Sequence, residues 1–397
     1  MKKLFALLLA AVLVFGMVAC GNGADEKMKV GFIFLHDEQS TYDKNFIDAA
    51  VAACKEMNVT MVQKTQIPES NACYDAAIEL IEVEDCDIIF ADSFGHESHM
   101  IKAAQEFPDV EFCHATGTKA HTENLPNFHN AFASIYEGRY LAGVAAGMKL
   151  VELYGDDEGK VSDENAKIGY VGAFPYAEVI SGYTSFYLGA KSIVENATME
   201  VRYTNSWYDE TAEKTTALAL IDAGCKLISQ HADSWGAPTA CEEKNIPNVS
   251  YNGSTEEKCP NTFIIASRIN WAPYFEYIID CVQNDKAIDA DWTGTLATGS
   301  VEITALGSAA AKGTQDKLDE VKKGLQDGTI KVFDCSTFTV EGKELTSFIA
   351  DVDDAGDYKP ETEVLETAND ITFINESAKR SAPYFNIIID GITAVTE

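Results

Sequence analysis

The chain has 397 residues, and its 30 Lys and Arg against 63 Asp and Glu give a formal net charge of −33 at pH 7. A charge of this size and sign repels phosphate backbones, which excludes nucleic acid as a partner and favours a neutral or cationic ligand. The length favours two domains over one.

Residues 1–19 have the pattern of an export signal. Lys2 and Lys3 precede an uncharged apolar run that ends at Ala19, and this run is shorter than the about 20 residues that a membrane-spanning helix needs. Cys20 follows small and apolar residues, a pattern similar to the lipobox of bacterial lipoproteins. We therefore expect cleavage after residue 19, lipidation of Cys20, a tether at 20–28, and a location on the outer face of the bacterial cytoplasmic membrane.

Apolar runs of strand length alternate with helical patterns from Lys29 onward. The run from Val30 to Leu35 predicts a buried strand, because both faces of a parallel sheet are covered. A helix follows, with Phe46, Ala49 and Ala53 on its apolar face. Further strands are predicted at 60–62, 87–91 and 110–114, with helices at 71–83 and 97–107. This alternation predicts a parallel, doubly wound sheet.

A second series of the same kind follows a glycine-containing helix at 136–147. Its strands are predicted at 167–171, 199–203, 226–229 and 248–251, and its helices at 179–195, 210–223 and 239–244. A strand at 263–267 and a helix at 271–283 then lead back to the first lobe. We predict an N-terminal lobe of 29–134 plus 267–293 and a C-terminal lobe of 135–266 plus 294–397, joined by a hinge of several strands.

Nine cysteines remain when Cys20 is set aside. Their number is odd, and no two of them form a C-x-x-C pair. Several lie inside apolar periodic runs, where a free cysteine behaves as a small hydrophobic residue. We expect no disulfide.

The stretch Tyr140-Leu141-Ala142-Gly143-Val144-Ala145-Ala146 resembles the basic membrane protein family, the substrate-binding lipoproteins of ABC importers. Four other stretches are similar to family segments in family order, at 167–172, 189–191, 205–209 and 330–333. The resemblance implies an α/β, type I periplasmic-binding-protein fold with two doubly wound, Rossmann-like lobes and a multi-strand hinge. It also implies a purine nucleoside or nucleobase ligand held in the cleft, an ABC permease as partner, and no cofactor. We expect a monomer.

The resemblance also suggests individual ligand contacts. The family's Asp-Lys motif and the Phe that stacks on the base map onto Asp43, Lys44 and Phe46, but Ile47 stands where many relatives have a base-contacting amide. Arg268 maps, less directly, onto a basic residue that relatives use against ribose. Segments around Trp207, 230–234 and 270–271 look closer to the adenine-type branch of the family. The predicted ligand contacts are Asp43, Phe46, Ser93, Phe94, Trp207, Asp209, His231, Asp233, Asn252, Arg268, Asn270 and Trp271.

Some of these residues have support from position alone. Trp207, Asp233 and Ser93 follow predicted strands, and ligands of open α/β sheets bind at the carboxyl ends of strands. Stacking a base on Trp207 would contribute about 1 to 3 kcal/mol. Each residue has an alternative interpretation: Trp207 could fill the lobe interface, Phe46 could belong to the core, and Asp233 could lie in a solvated loop.

The sequence lacks the motifs that are typical of enzymes and of metal sites. The segment His96-Glu97-Ser98-His99 does not have the spacing of H-E-x-x-H, so we expect no metal site. There is no G-x-S-x-G, P-loop or G-x-G-x-x-G motif, so we expect no enzyme. The predicted function is an extracytoplasmic substrate-binding lipoprotein. The alternatives are an exported sensor that presents a small molecule to a membrane receptor and, third, a nucleoside hydrolase or deaminase.

Overall fold

The structure, a computed structural model, describes residues 27–353 and 359–395. The predicted signal at 1–19, the lipidation site Cys20 and most of the tether therefore lie outside the described residues. Within the two described ranges, no helix has the length and apolar character needed to cross a membrane.

Strands and helices alternate through most of the chain, as predicted. The strands are β1 Lys29–Ile33, β2 Thr60–Lys64, β3 Ile88–Ala91, β4 Glu111–Ala115, β5 Phe128–Ala133, β6 Lys167–Gly172, β7 Thr198–Tyr203, β8 Leu227–His231, β9 Asn248–Tyr251, β10 Phe263–Ile269, β11 Asp291–Gly294, β12 Val301–Ile303, β13 Ile349–Ala350, β14 Thr362–Glu363, β15 Leu365–Ala368, β16 Ile371–Ile374 and β17 Ile392–Val395. The α-helices are α1 Thr41–Glu56, α2 Asn71–Glu82, α3 Glu97–Glu106, α4 Ala120–Glu123, α5 Ile135–Tyr154, α6 Ala177–Lys191, α7 Glu210–Asp222, α8 Gly236–Lys244, α9 Ala272–Gln283 and α10 Thr314–Asp327.

Two sheets form the centres of two lobes. The first has the order β11-β5-β4-β3-β1-β2 and is parallel throughout, while the second has the order β12-β10-β9-β8-β6-β7-β17. In the second sheet only β12 runs antiparallel to its neighbour. The prediction of a periplasmic-binding-protein-like α/β fold is confirmed, since parallel strands joined by helices build both lobes.

Before the tail that follows α10, the chain passes between the lobes three times within the described part. The passages lie at residue 134 between β5 and α5, at 270–271 between β10 and α9, and at 295–300 between β11 and β12. The predicted domain boundary at 134/135 coincides with the first passage, and the one at 293/294 with the last residue of β11. The one at 266/267 falls inside β10, whose seven residues all precede the second passage.

The glycines of α5 allow close helix packing. A Cβ on Gly143 would collide with the carbonyl oxygen of Phe186, and a Cβ on Gly189 would collide with that of Tyr140. Helices α5 and α6 therefore approach closely enough for backbone contact, which offsets the about 1 kcal/mol that each helical glycine costs relative to alanine.

The described cysteines are free and buried. They occupy positions 54, 73, 86, 113, 225, 241, 259, 281 and 335. Burial raises the pKa of Cys54 to about 11, as it does for the thiols at 86, 225, 259 and 335. These side chains therefore pack as small neutral hydrophobic groups.

Residues after α10 add a tail to the two lobes. Two short antiparallel pairs, β13 with β14 and β15 with β16, come first. Strand β17 then joins the edge of the second sheet beside β7. The tail thus returns to the C-terminal lobe after passing along both lobes.

Candidate ligand site between the lobes

A cavity lies between the carboxyl ends of the two sheets. The first lobe contributes Leu35, Tyr42, Ser93, Phe94 and Thr116, and the second contributes Glu178, Trp207, His231, Asp233 and Tyr251. The empty volume of this cavity is about 350 Å³. Because residues of both lobes line it, a ligand held there is enclosed between the lobes and enters when they separate.

Contacts between the lobes surround this cavity. The backbone N–H of Thr41 donates to the carbonyl oxygen of Asp233 at 3.1 Å, and the Thr41 hydroxyl donates to the same oxygen at 3.2 Å. The amide of Asn45 donates to the carbonyl oxygen of Ile269. Helix α1 of the first lobe is therefore hydrogen-bonded directly to the second lobe beside the cavity.

The carboxylate of Asp233 is the most unusual group in the cavity wall. The residue is 6% exposed, and no described residue donates a hydrogen bond to its carboxylate oxygens. Burial, followed by the negative charges of Asp43, Glu213 and Glu178, raises the pKa of Asp233 well above its ordinary value. A buried carboxyl group without a partner is costly, so this group is placed to accept a hydrogen bond from a ligand.

His231 and Tyr251 form the floor of the cavity on the second lobe. The His231 ring centroid lies 4.4 Å from that of Tyr251, and His231 Nε2 lies 3.4 Å from Glu178 Oε1. Burial lowers the pKa of His231, so the ring is neutral at pH 7. A Cβ on Gly182 would lie 2.6 Å from His231 Nδ1. Only glycine at position 182 leaves room for the imidazole.

A buried arginine supports this floor from behind. Arg139 is inaccessible to solvent, and its guanidinium lies 5.1 Å from the Tyr251 ring centroid. It donates to the Tyr170 hydroxyl at 2.8 Å and to the Ser229 hydroxyl at 2.9 Å. The guanidinium does not line the cavity, so its charge fixes the floor but does not contact the ligand.

A pair of buried carboxyl groups, Asp92 and Asp43, lies next to Tyr42 but outside the cavity lining. Asp92 accepts from the backbone N–H of Leu35 at 3.1 Å. Burial and then the charge of Asp43 raise the pKa of Asp92 well above its ordinary value. Burial also opposes ionisation of Asp43, but hydrogen bonds from His36 and Ser40 hold its pKa below the ordinary value. The hydroxyl of Tyr42 donates to the carbonyl oxygen of Asp92 at 2.6 Å, which fixes the Tyr42 ring in the wall.

Aromatic rings line the opening. Trp207 is half-buried and meets Phe174 edge-on at 5.1 Å between ring centroids. Phe94 of the first lobe lies 5.6 Å from Tyr176 of the second. A flat ring system that enters between these residues meets aromatic surface on both lobes.

Five of the twelve predicted ligand contacts line the cavity, namely Ser93, Phe94, Trp207, His231 and Asp233. Phe46 and Trp271 do not, because their rings stack on each other at 4.4 Å and are 0% and 1% exposed. Tyr42, one helical turn before Phe46, lines the cavity instead.

The remaining five predicted contacts are outside the cavity lining, and four of their side chains have other partners, whereas Asn252 Nδ2 is buried without a hydrogen-bond partner among the described residues. Asp43 accepts from the Ser40 hydroxyl at 2.6 Å, and Asp209 caps α7 by accepting from the backbone N–H of Ala212 at 2.9 Å. Arg268 donates to Glu302 at 3.0 Å. Asn270 accepts from the N–H of Ala272 at the start of α9. Asn252, with φ of 60°, donates its backbone N–H to Ser267.

Sequence reasoning missed Leu35, Tyr42, Thr116, Glu178 and Tyr251. Leu35, Thr116 and Tyr251 lie at or just after the carboxyl ends of β1, β4 and β9, so the strand-end rule would have found them. Tyr42 and Glu178 lie in the first turns of α1 and α6, and the orientation of a first-turn side chain requires the helix axis to be known.

The segment His96-Glu97-Ser98-His99 has structural roles. His96 Nε2 lies 2.9 Å from the carbonyl oxygen of Ile67, and Glu97 accepts from the backbone N–H of Thr118 at 2.7 Å. Among residues 27–353 and 359–395, no group of three or more His, Cys, Asp or Glu side chains is arranged to hold a metal ion.

Comparison with solved structures places the fold among solute-binding proteins. A solute-binding protein of an ABC transporter system from Aeropyrum pernix superposes with a TM-score of 0.64 at 17% identity, over 77% of this chain and 93% of that one. One from Conexibacter woesei gives 0.62 at 17% identity, over 77% and 98%.

Comparison by sequence gives nearer relatives. A purine-binding protein of Brucella abortus is 32% identical over 68% of this chain and 71% of its own length. A Haloferax volcanii protein named as a glucose-binding protein of an ABC transporter is 30% identical over 68% and 66%, and a nucleoside-binding protein of Lactococcus lactis is 24% identical over 59% and 64%. Residues 33–333 match the model of a family described as ABC transporter substrate-binding protein, PnrA-like.

Proposed function

Since this chain belongs to the PnrA-like family of ABC transporter substrate-binding proteins, we propose that it captures a purine nucleoside or nucleobase between its lobes and delivers it to an ABC permease. Proteins of this family are extracytoplasmic and are not enzymes. The proposal includes a lipid anchor at Cys20 that keeps the receptor near the permease.

The proposal rests mainly on the carboxylate of Asp233, to which no described residue donates a hydrogen bond. Purines offer N–H donors at the edge of a flat aromatic ring system. Asp233 can accept from such a donor while Trp207, on the same wall of the cavity, stacks on the ring face. The names of the Brucella and Lactococcus relatives point to the same class of ligand.

A sugar is the second candidate, because the Haloferax relative is named for glucose. A monosaccharide also offers hydroxyl donors to Asp233 and Glu178. It lacks an extended flat ring, however, so it would use less of the aromatic surface that Trp207 and Phe94 present.

Isothermal titration calorimetry with adenine, adenosine, guanosine, inosine and glucose tests the proposal. We expect at least one purine compound to bind and to raise the melting temperature, since a ligand at 100 times its dissociation constant stabilises by about 2.7 kcal/mol. Chromatography of the mixture should return the ligand unchanged. Binding of glucose without any purine would refute the purine assignment, and conversion of a purine compound would refute the assignment as a carrier.

An uptake assay in cells distinguishes transport from sensing. Uptake of the labelled ligand should require both this protein and an ABC permease encoded with it. If uptake is unchanged when this protein is deleted, the sensor alternative is favoured.

A further inference from the structure

The tail of the chain crosses from one lobe to the other beside the cavity. We call residues 380–392 the strap. At its start, the backbone N–H and the hydroxyl of Ser381 both donate to Asp291 Oδ1 of the first lobe, each at 2.8 Å. At its end, Gly391 accepts from the N–H of Met199, and Ile392 begins the strand that pairs with β7 of the second lobe. The strap is thus fixed to both lobes.

The middle of the strap is held firmly in place. The Phe385 ring stacks on Phe333 at 4.5 Å between centroids, and Arg380 donates to the carbonyl oxygen of Val352 at 2.9 Å. The strap lies beyond residue 333, where the match to the family model ends.

A second, larger space lies between the strap and the two lobes. We call it the outer compartment. Its lining consists of Phe94, Thr116, Thr118, Pro175, Tyr176, Ala177, Glu178, Asp351, Arg380, Ala382, Pro383, Tyr384 and Asn386. Phe94, Thr116 and Glu178 also line the inner cavity, so the two spaces adjoin. The empty volume of the outer compartment is about 910 Å³ against about 350 Å³ for the inner cavity.

The lining of the outer compartment, which includes Glu178, Asp351 and Arg380, suits a hydroxyl-bearing group. Phe94 and Tyr176 are 40% and 42% exposed, so part of their aromatic surface is available to the C–H surface of a sugar ring, although one face of Tyr176 stacks on Phe174. Glu178 and Thr118 offer acceptors for hydroxyl donors. The strap closes the compartment with Pro383 and the exposed side chain of Asn386.

We infer that the strap is a third wall of the ligand site, which selects ligands by the group that extends beyond the inner cavity. On the proposed function, on which this inference rests, the inner cavity takes the base and the outer compartment takes the sugar of a nucleoside. Asn386 then limits the size of that sugar group. Free bases, which end inside the inner cavity, do not reach the strap.

Two exposed positions of the strap provide a matched test. Asn386→Trp fills the outer compartment, because the side chain lines it. Ile388→Trp adds a similar ring two residues later, at a position that is 38% exposed and outside the compartment lining. Equal melting temperatures of the two unligated variants and the parent show that the fold is retained.

The two variants and the parent are titrated with two pairs of compounds, adenine with adenosine and glucose with maltose. For whichever pair the parent binds, Asn386→Trp should weaken binding of the longer member by about tenfold or more and change that of the shorter member by less than about twofold. Ile388→Trp should bind both as the parent does. Equal effects on both members, or no effect on the longer one, would overturn the inference.

The second pair separates this inference from the proposed function. If the parent binds guanosine or inosine in place of adenosine, the strap is tested with that nucleoside and its free base. If the parent binds the sugars and no purine compound, the purine proposal fails and the strap is tested with glucose and maltose. If the parent binds none of these compounds, both proposals are refuted.

Discussion

Replacing Glu376 by glutamine should stabilise the protein at neutral and alkaline pH. Glu376 lies in the tail, is 1% exposed, and its Oε2 has no hydrogen-bond partner among the described residues. Burial is the main cause that raises the pKa of Glu376 to about 8, against an ordinary value of 4.5. The hydrogen bond with Ser181 lowers this pKa, and the negative charge of Glu178 raises it further. The folded protein therefore holds a proton that the unfolded chain has already released at pH 7.

The sign and size of the effect follow from this difference in pKa. The unfolded state binds fewer protons than the folded state between about pH 4.5 and 8, so the free energy of unfolding falls as the pH rises through this window. Glu376 costs about 3 kcal/mol of stability at pH 7, and about 5 kcal/mol above pH 8. Glutamine has a similar shape and never ionises, so Glu376→Gln removes this cost.

Urea denaturation at a series of pH values between 5 and 9 measures the effect. The variant should be more stable than the parent by slightly less than about 1 kcal/mol at pH 5, and this difference should grow to about 3 kcal/mol at pH 7. Other buried carboxyl groups, such as Glu213, are present in both proteins and cancel in the difference. Glu344→Gln, at an exposed position of the tail, is the control and should show no such trend. A stability difference that does not change with pH would refute the reasoning.

The remaining predictions concern the ligand, the core and the anchor. Trp207→Ala should weaken purine binding by about 1 to 3 kcal/mol in calorimetry, and Trp207→Phe by much less; unchanged binding by the alanine variant would remove Trp207 from the site. Phe46→Ala should lower the free energy of unfolding by a few kcal/mol, about 3 to 5, because it leaves a cavity beside Trp271, and an unchanged urea midpoint would contradict its place in the core. Adenosine should bind more tightly than its monophosphate, whose phosphate meets acidic side chains. Ligand binding should also tighten as the pH rises through the raised pKa of Asp233, and titrations at several pH values should show that Asp233→Asn abolishes this trend. Cys20→Ser should release the protein from membranes in cell fractionation without changing its melting temperature, and retention in the membrane fraction would refute lipidation.

The alternation of strands and helices was predictable because the pattern is local. The buried strand that begins near Val30 and the glycine-rich helix α5 both follow from residue types within one window of sequence. The tail was not predictable in the same way. Its strands have two to four residues each, and β17 is defined by its pairing with the distant β7, which no local pattern encodes.

The candidate site also contains residues that local sequence predicts and residues that depend on distant contacts. Ser93 and Asp233 were predictable because each follows a strand whose carboxyl end faces the cleft. Phe46 and Tyr42 were not distinguishable, since both are aromatic and lie on neighbouring turns of α1. The packing of Trp271 on Phe46 decides between them, and this contact joins residues more than 200 positions apart in the chain.

The net charge of the chain and the charged groups of the cavity both disfavour phosphorylated ligands, but they act over different distances. The net charge of −33 acts at long range and is screened by salt, so by itself it affects encounter more than affinity. The cavity lining contains Asp233 and Glu178 and no lysine or arginine. Arg139, the nearby buried cation, reaches the floor only through Tyr251 and His231. A phosphate group placed in the inner cavity would therefore meet the acidic groups of Asp233 and Glu178 at short range with no cation in contact, where screening is weak. In the outer compartment a phosphate would meet Glu178 and Asp351, and the Arg380 guanidinium there already donates to the carbonyl oxygens of Val352, Ala382 and Pro383. Selection against nucleotides should accordingly persist at high salt, whereas any effect of the net charge on the association rate should disappear.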